Sequence, residues 1–196
     1  VKPYLYETVI KEIKDSVTDD KIIVAIAAGQ TISRIESLFS KDIKLVRTMP
    51  NTPALVGEGI TGVCKNNLVT EDEFAYVLKL LSSFGLAEAI PESLMDAVVS
   101  VSGSSPAYVF LFIEAMADAA VADGMPRAQA YKFAAQAVLG SAKMVLETGK
   151  HPAELKDMVC SPAGTTIEAV RVLEEKGFRG AVMDAMKACT AKAKGI

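Results

Sequence analysis

Residues 160–168 read Cys-Ser-Pro-Ala-Gly-Thr-Thr-Ile-Glu and place hydroxyl side chains around one glycine, just ahead of a helical pattern. Thr165 followed three positions later by Glu168 fits a capping box, which predicts a helix starting near Thr166. The first amides of a helix have no partner within it and lie at the positive end of its dipole, a setting that suits a carboxylate or phosphate. Gly164 lets the backbone approach a ligand closely, and Ala163 is small. Ser161 and Thr166 add hydroxyls that donate or accept. The same letters also spell an ordinary capped helix after a tight turn, and spacing alone does not separate the two readings.

Other reactive groups are sparse. His151 is the one histidine, and its charge change falls near neutral pH. It precedes Pro152, so it reads as a helix start rather than a catalytic acid. No Gly-x-Ser-x-Gly turn offers a serine nucleophile. Cys64, Cys160 and Cys189 show no Cys-x-x-Cys or metal spacing, so no metal is expected and the thiols read as reduced, in a cytosol-like compartment.

The elements that must position these residues divide into two halves. Residues 1–91 alternate strands and helices. Lys21–Gly29 is a β-branched apolar run closed by glycine, and Ile32, Ile35, Leu38 and Phe39 share one face of a following helix. A strand over Ile43–Asn51, a third over Gly59–Lys65 and a short last one over Leu86–Ile90 follow. Between the last two lies a helix with Thr70 and Glu73 as a capping box and Gly85 past its end. This grammar implies a mainly parallel sheet. Residues 92–196 show no strand. Ser105 before Pro106 reads as a cap for a helix that is apolar nearly all round, interrupted by Glu114 and Asp118. A second long helix opens at Pro126 and closes at Gly149. Two such helices need more cover than about 100 residues supply, which favours an intertwined homodimer over a tight monomer.

Composition narrows the classes. With a net charge of −3 and no basic run, the chain lacks a nucleic-acid face. No uncharged apolar stretch of about 18 residues occurs, so no membrane span is expected. The first residues, Val-Lys-Pro-Tyr-Leu-Tyr, are no signal peptide. The sheet half also lacks the Gly-x-Gly-x-x-Gly turn of a dinucleotide-binding fold, as though about 60 residues, two strand–helix steps, lay upstream.

Several segments together carry a resemblance. Met158–Arg179, Ala27–Glu36, Arg47–Gly59, Ser100–Arg127 and His151–Val159 resemble, in order, segments of the pyrroline-5-carboxylate reductases, and the likeness runs from Val1 to about Lys194. The resemblance implies an α/β plus all-α architecture: the C-terminal part of a Rossmann dinucleotide-binding domain (1–91), then an all-helical dimerisation and substrate-binding domain (92–196). It implies reduction of L-1-pyrroline-5-carboxylate to L-proline by NADPH or NADH, in a cytoplasmic homodimer or a larger oligomer of dimers, with no metal, membrane or nucleic-acid partner. It also implies the site. Thr166 would be the catalytic hydroxyl, meeting the ring nitrogen. Ser161, Gly164 and Thr165 would hold the substrate carboxylate with Thr166, and Glu92 would line the pocket. Val1, Lys2, Pro3, Ala27, Ala28, Gly29 and Asn51 would face the cofactor. Asp157 either touches the site or supports the loop, and Asn51 equally suits turn chemistry.

Two positions depart from the family pattern. Ala163 and Ser105 stand where glycine is common, and Ala163 is tolerable if its φ is negative. A β-hydroxyacid-dehydrogenase relative, using Lys143 or Lys156, and a non-catalytic helical module are the alternatives.

Overall fold

In the computed structural model, which describes residues 1–195, four strands form one sheet in the order β1 (Ile22–Ala25), β2 (Lys44–Met49), β3 (Gly59–Lys65), β4 (Gly85–Ala89). β1 pairs parallel with β2 and β3 with β4, but β2 and β3 run antiparallel. Two of the three pairings are parallel, in keeping with a mainly parallel sheet, and the strand direction reverses once, halfway across. The cause is the short connection 50–58, folded into a 3-10 turn over Thr52–Val56. A crossover back to parallel needs a dozen or more residues.

Helices cover both faces. α1 (Tyr6–Ile13) and α2 (Ile32–Phe39) bury Ile10, Ile32, Ile35 and Phe39 against Leu45 on one face, and α3 (Glu71–Leu81) buries Val77 against Val46 and Val63 on the other. Leu45 and Val46 are neighbours that point to opposite faces, and both are 0% exposed. α2 is capped by the Thr31 hydroxyl on Arg34 N–H. α3 carries the expected Thr70–Glu73 capping box. Gly85 does not close α3, however. It opens β4 at a φ of +144°.

No strand follows β4 among the described residues. A 3-10 turn (Glu92–Leu94), α4 (Met95–Val98), a π turn (Val99–Gly103) and α5 (Ser105–Ala122) form a nearly continuous helical run. The predicted Ser105 cap is absent. Ser104 keeps helical angles, φ −101° and ψ −24°, so Ser105 sits inside the run, and the break forced by Pro106 is absorbed by the wider π turn. By length and composition alone, the run Glu92–Ala122 would be able to cross a membrane, although Glu114 and Asp118 interrupt its apolar stretch.

The chain forms two compact units, Val1–Pro106 with the chain end from Met186, and Ala107–Ala185. The expected 91/92 boundary and this one differ because Met95 of α4 is 1% exposed within the Leu45 core. The second unit holds most of α5, α6 (Arg127–Thr148), α7 (Pro152–Val159), α8 (Thr165–Glu175) and the start of α9 (Phe178–Ala193). α6 begins after Pro126 and ends at Gly149, φ +63°, as its sequence predicts. The buried apolar residues of this unit are Ala117, Ala130 and Ala134, while Phe110, Leu111, Phe133 and Leu146 are exposed.

Candidate functional site

The hydroxyl-rich loop joins α7 to α8. α7 starts at His151, whose Nδ1 accepts the Ala153 N–H at 3.1 Å, so the one histidine caps a helix. At the other end of the loop the predicted capping box does not form. α8 starts at Thr165, one residue earlier than expected, with Gly164 extended at its N-cap and no side-chain cap bond. Thr165, already helical, is not placed to reach back. Glu168 instead binds Arg171 at 2.8 Å, and Arg171 also reaches Glu175 at 2.8 Å. That guanidinium holds the Glu168 carboxyl below its ordinary range. The first amides of α8 therefore keep no side-chain cap, which is the condition under which a helix start takes an anion.

The turn before α8 has a tight geometry. Gly164 N–H donates to the Ser161 carbonyl at 3.0 Å, with Pro162 second and Ala163 third in the turn. Ala163 has a φ of +57°, so the condition of a negative φ under which alanine sits there without strain is not met. A positive φ at the third position after a proline is the pattern of a type II turn, where glycine is favoured. Alanine held there costs about 1 kcal/mol. Gly164 has no such freedom to spare: a Cβ on it would lie 2.3 Å from Ser161 Oγ. The Ser161 hydroxyl thus folds over Gly164, which groups Ser161, Gly164, Thr165 and Thr166 at the start of α8. Thr166 is half-buried, and Ser161 and Thr165 are exposed. Asp157 turns to Lys156 at 2.6 Å and raises the lysine's pKa, and Lys143 pairs with Glu147 at 3.4 Å.

The other predicted residues lie in the sheet unit. Ala27, Ala28 and Gly29 follow β1, with Gly29 at a φ of +71°. Val1 borders an apolar cavity of about 310 Å3 together with Ala25 and Ile26, directly before that turn. Lys2 is extended, and Pro3 opens a short 3-10 turn. Glu92 makes two strong contacts within the sheet unit. Its Oε1 accepts the Ile32 N–H of α2 at 2.7 Å and pairs with Arg47 at 2.8 Å. Arg47 is 4% exposed and also lies 4.0 Å from Asp96. Glu92 therefore fixes the start of the helix that follows Ala27–Gly29, while the Ser161–Thr166 loop belongs to the other unit. Sequence reasoning missed Arg47, although a charge inside the run Leu45–Met49 was its visible mark. Asn51 spends its side chain on backbone groups of its own unit. Cys64 is buried near Glu92, and burial first, then that carboxylate, push its thiol up to about 11, so it is no nucleophile at neutral pH. Among the described residues no group of His, Cys, Asp and Glu could hold a metal.

A sheet with helices on both faces, followed by a helical unit, fits the later part of a Rossmann-type domain with a helical domain attached. The family described as pyrroline-5-carboxylate reductase dimerisation matches residues 92–196. The pyrroline-5-carboxylate reductase of Escherichia coli (strain K12) is 62% identical over 196 residues, which are 100% of this chain and 73% of that protein. That of Methanosarcina acetivorans is 46% identical with the same coverage of both chains. Among solved structures, the Plasmodium falciparum pyrroline carboxylate reductase with NADP bound is 36% identical and superposes with a TM-score of 0.93, over 100% of this chain and 78% of that one. The Coxiella burnetii enzyme, also 36% identical, gives 0.91 over 100% and 73%. The chain belongs to the pyrroline-5-carboxylate reductase family.

Proposed function

We propose that the protein reduces L-1-pyrroline-5-carboxylate to L-proline, the last step of proline biosynthesis, with NADPH or NADH as the hydride donor. The observation that carries this reading beyond family membership is the start of α8. Its amides lack a side-chain cap, and Ser161 and Thr166 stand beside them. That arrangement fits a substrate whose carboxylate and ring nitrogen lie close together. The α8 amides and the Ser161 hydroxyl bind the carboxylate, with Gly164 and Thr165 forming the backbone cradle. The Thr166 hydroxyl is oriented on the ring nitrogen and holds it where a proton makes C5 electrophilic. Hydride addition at C5 with the proton retained on nitrogen balances the reduction of the C=N bond.

The chain's residues fit a nicotinamide at the end of β1. Ala27, Ala28 and Gly29 carry nothing larger than a methyl group, so a flat ring can approach the backbone. When bound, the nicotinamide supplies the hydride. Positioning carries the rest of the rate, which is consistent with the absence of an acid–base pair in the loop. Val1–Pro3 and the Met49–Pro53 turn border the same cofactor in this reading, and Glu92 acts through Arg47 and α2. The helical half forms a homodimer, or a larger oligomer of dimers, through the exposed faces of α5 and α6. A cytoplasmic location suits its three unpaired thiols.

The test uses the full-length protein that carries this chain. NADPH and NADH are offered with pyrroline-5-carboxylate, and the oxidised cofactors with a panel of hydroxy acids. Oxidation of reduced cofactor by pyrroline-5-carboxylate alone is the expected result. Turnover of a hydroxy acid without pyrroline-5-carboxylate activity would replace this reading with that of a β-hydroxyacid dehydrogenase.

A further inference from the structure

The side-chain amide of Asn51 is engaged at both ends, and all its partners lie in the sheet unit. Its Oδ1 accepts the Ile60 N–H of β3 at 2.9 Å, and its Nδ2 donates to the Ser102 carbonyl at 3.1 Å. The sequence explains why that carbonyl is available. In a helix the carbonyl of Ser102 would accept from the residue four positions on, but that residue is Pro106, which has no N–H. Just before it, the run widens into the π turn Val99–Gly103, where Ser104 N–H reaches back five residues to Val99 at 2.8 Å. Single π turns inside helices recur at functional sites. Ser102 is only 9% exposed, and its own hydroxyl is spent on the Val98 carbonyl at 3.1 Å. A buried carbonyl in that position is costly to leave unpaired. The Asn51 carbonyl meanwhile accepts Ala54 N–H at 3.2 Å, which ties the same residue into the turn after β2.

We propose that Asn51 is a positioning residue of the reductase: its side chain clamps the Met49–Pro53 turn onto β3 and the π turn Val99–Gly103, fixing the turn beside the nicotinamide without itself touching the cofactor. The proposal rests on the reductase reading, which sets that turn against the nicotinamide. Both hydrogen-bonding ends of the amide have defined roles. Aspartate keeps the acceptor for Ile60 N–H, replaces the donor to Ser102 with an oxygen and adds a negative charge.

In the full-length protein, Asn51→Asp should raise the KM for NADPH about tenfold, with kcat far less affected. Pro106→Ala restores an N–H four residues beyond Ser102 and should leave the kinetics close to wild type. Combined with Asn51→Asp, it should bring the KM for NADPH part of the way back. That rescue is a result which a general loss of stability would not give. An Asn51→Asp enzyme with wild-type KM, or one whose melting temperature alone falls, overturns the proposal. So does a double variant no better than Asn51→Asp. A wild-type protein inactive on pyrroline-5-carboxylate overturns the reductase reading and this role with it, whereas an active wild type matched by Asn51→Asp overturns this role alone.

Discussion

The sheet unit and the helical unit differ in the apolar residues that they bury. In the first, Leu45, Val46 and Val63 are each 0% exposed, closed in by helices on both faces of the sheet. In the second, Leu111 and Phe133 are 67% exposed and Leu146 is 74% exposed, while the residues hidden are alanines. Buried alanines mark places where helices approach closely. Large exposed side chains on the same helices mark a surface that gains from being covered, at roughly 25 cal/mol per Å2 of apolar area. One unit has a core of large apolar side chains; the other presents the kind of apolar face found at obligate homodimer interfaces. The dimerisation family that matches residues 92–196 accords with that contrast, and gives the long apolar run Glu92–Ala122 an occupation other than a membrane.

The contrast can be broken by mutation. The largest effect is expected from Leu111→Glu, a charge placed on the exposed face of α5. Sedimentation should show the full-length protein as a monomer, and activity should fall by about a hundredfold or more, since a central interface side chain is worth upward of about 2 kcal/mol. Leu80→Glu, on an exposed position of α3 in the sheet unit, should leave the assembly intact. Dimers that survive Leu111→Glu would mean that α5 is not the interface.

The next effect sharpens the same comparison. Leu45→Ala should lower stability in urea by about 2–5 kcal/mol, because it opens a cavity in a core where Leu45 is 0% exposed. Leu139→Ala, at an exposed position of α6, should cost under about 0.5 kcal/mol in the dissociated chain. Its cost should appear instead as easier dimer dissociation on dilution. A smaller gain is expected from Ala163→Gly, which relieves a positive φ in the loop before α8 and should stabilise by about 0.5–1 kcal/mol in thermal unfolding. A loss there would show that the alanine methyl packs usefully.

Much of this was legible in the residues, for reasons that differ between the units. The strands, α2 and the Thr70–Glu73 cap of α3 could be read because their patterns are local: β-branched runs, one apolar helix face, and a cap three residues from its partner. The reversal between β2 and β3 was not read, because strand direction depends on the path of the connection rather than on strand composition. At α8 the letters of a capping box were present, yet Glu168 had a stronger partner in Arg171, a charge one helical turn ahead. Ser105 before Pro106 looked like a helix start, but the π turn carried the helix through. Glu92 engages Arg47 and the α2 amide, a contact across 45 residues of sequence that no local pattern announces.

The central claim is that the loop before α8 holds the substrate through its hydroxyls and amides, with Thr166 on the ring nitrogen. Steady-state reduction of pyrroline-5-carboxylate by Thr166→Val in the full-length protein, beside a melting curve, tests it most directly. Because Gly164 rather than a threonine occupies the N-cap of α8, the substitution should leave the melting temperature unchanged. Loss of one hydrogen bond to a charged or charging group should lower kcat/KM by about 10- to 150-fold. Full kcat/KM with unchanged stability, or a parallel fall of activity and melting temperature, would contradict the account.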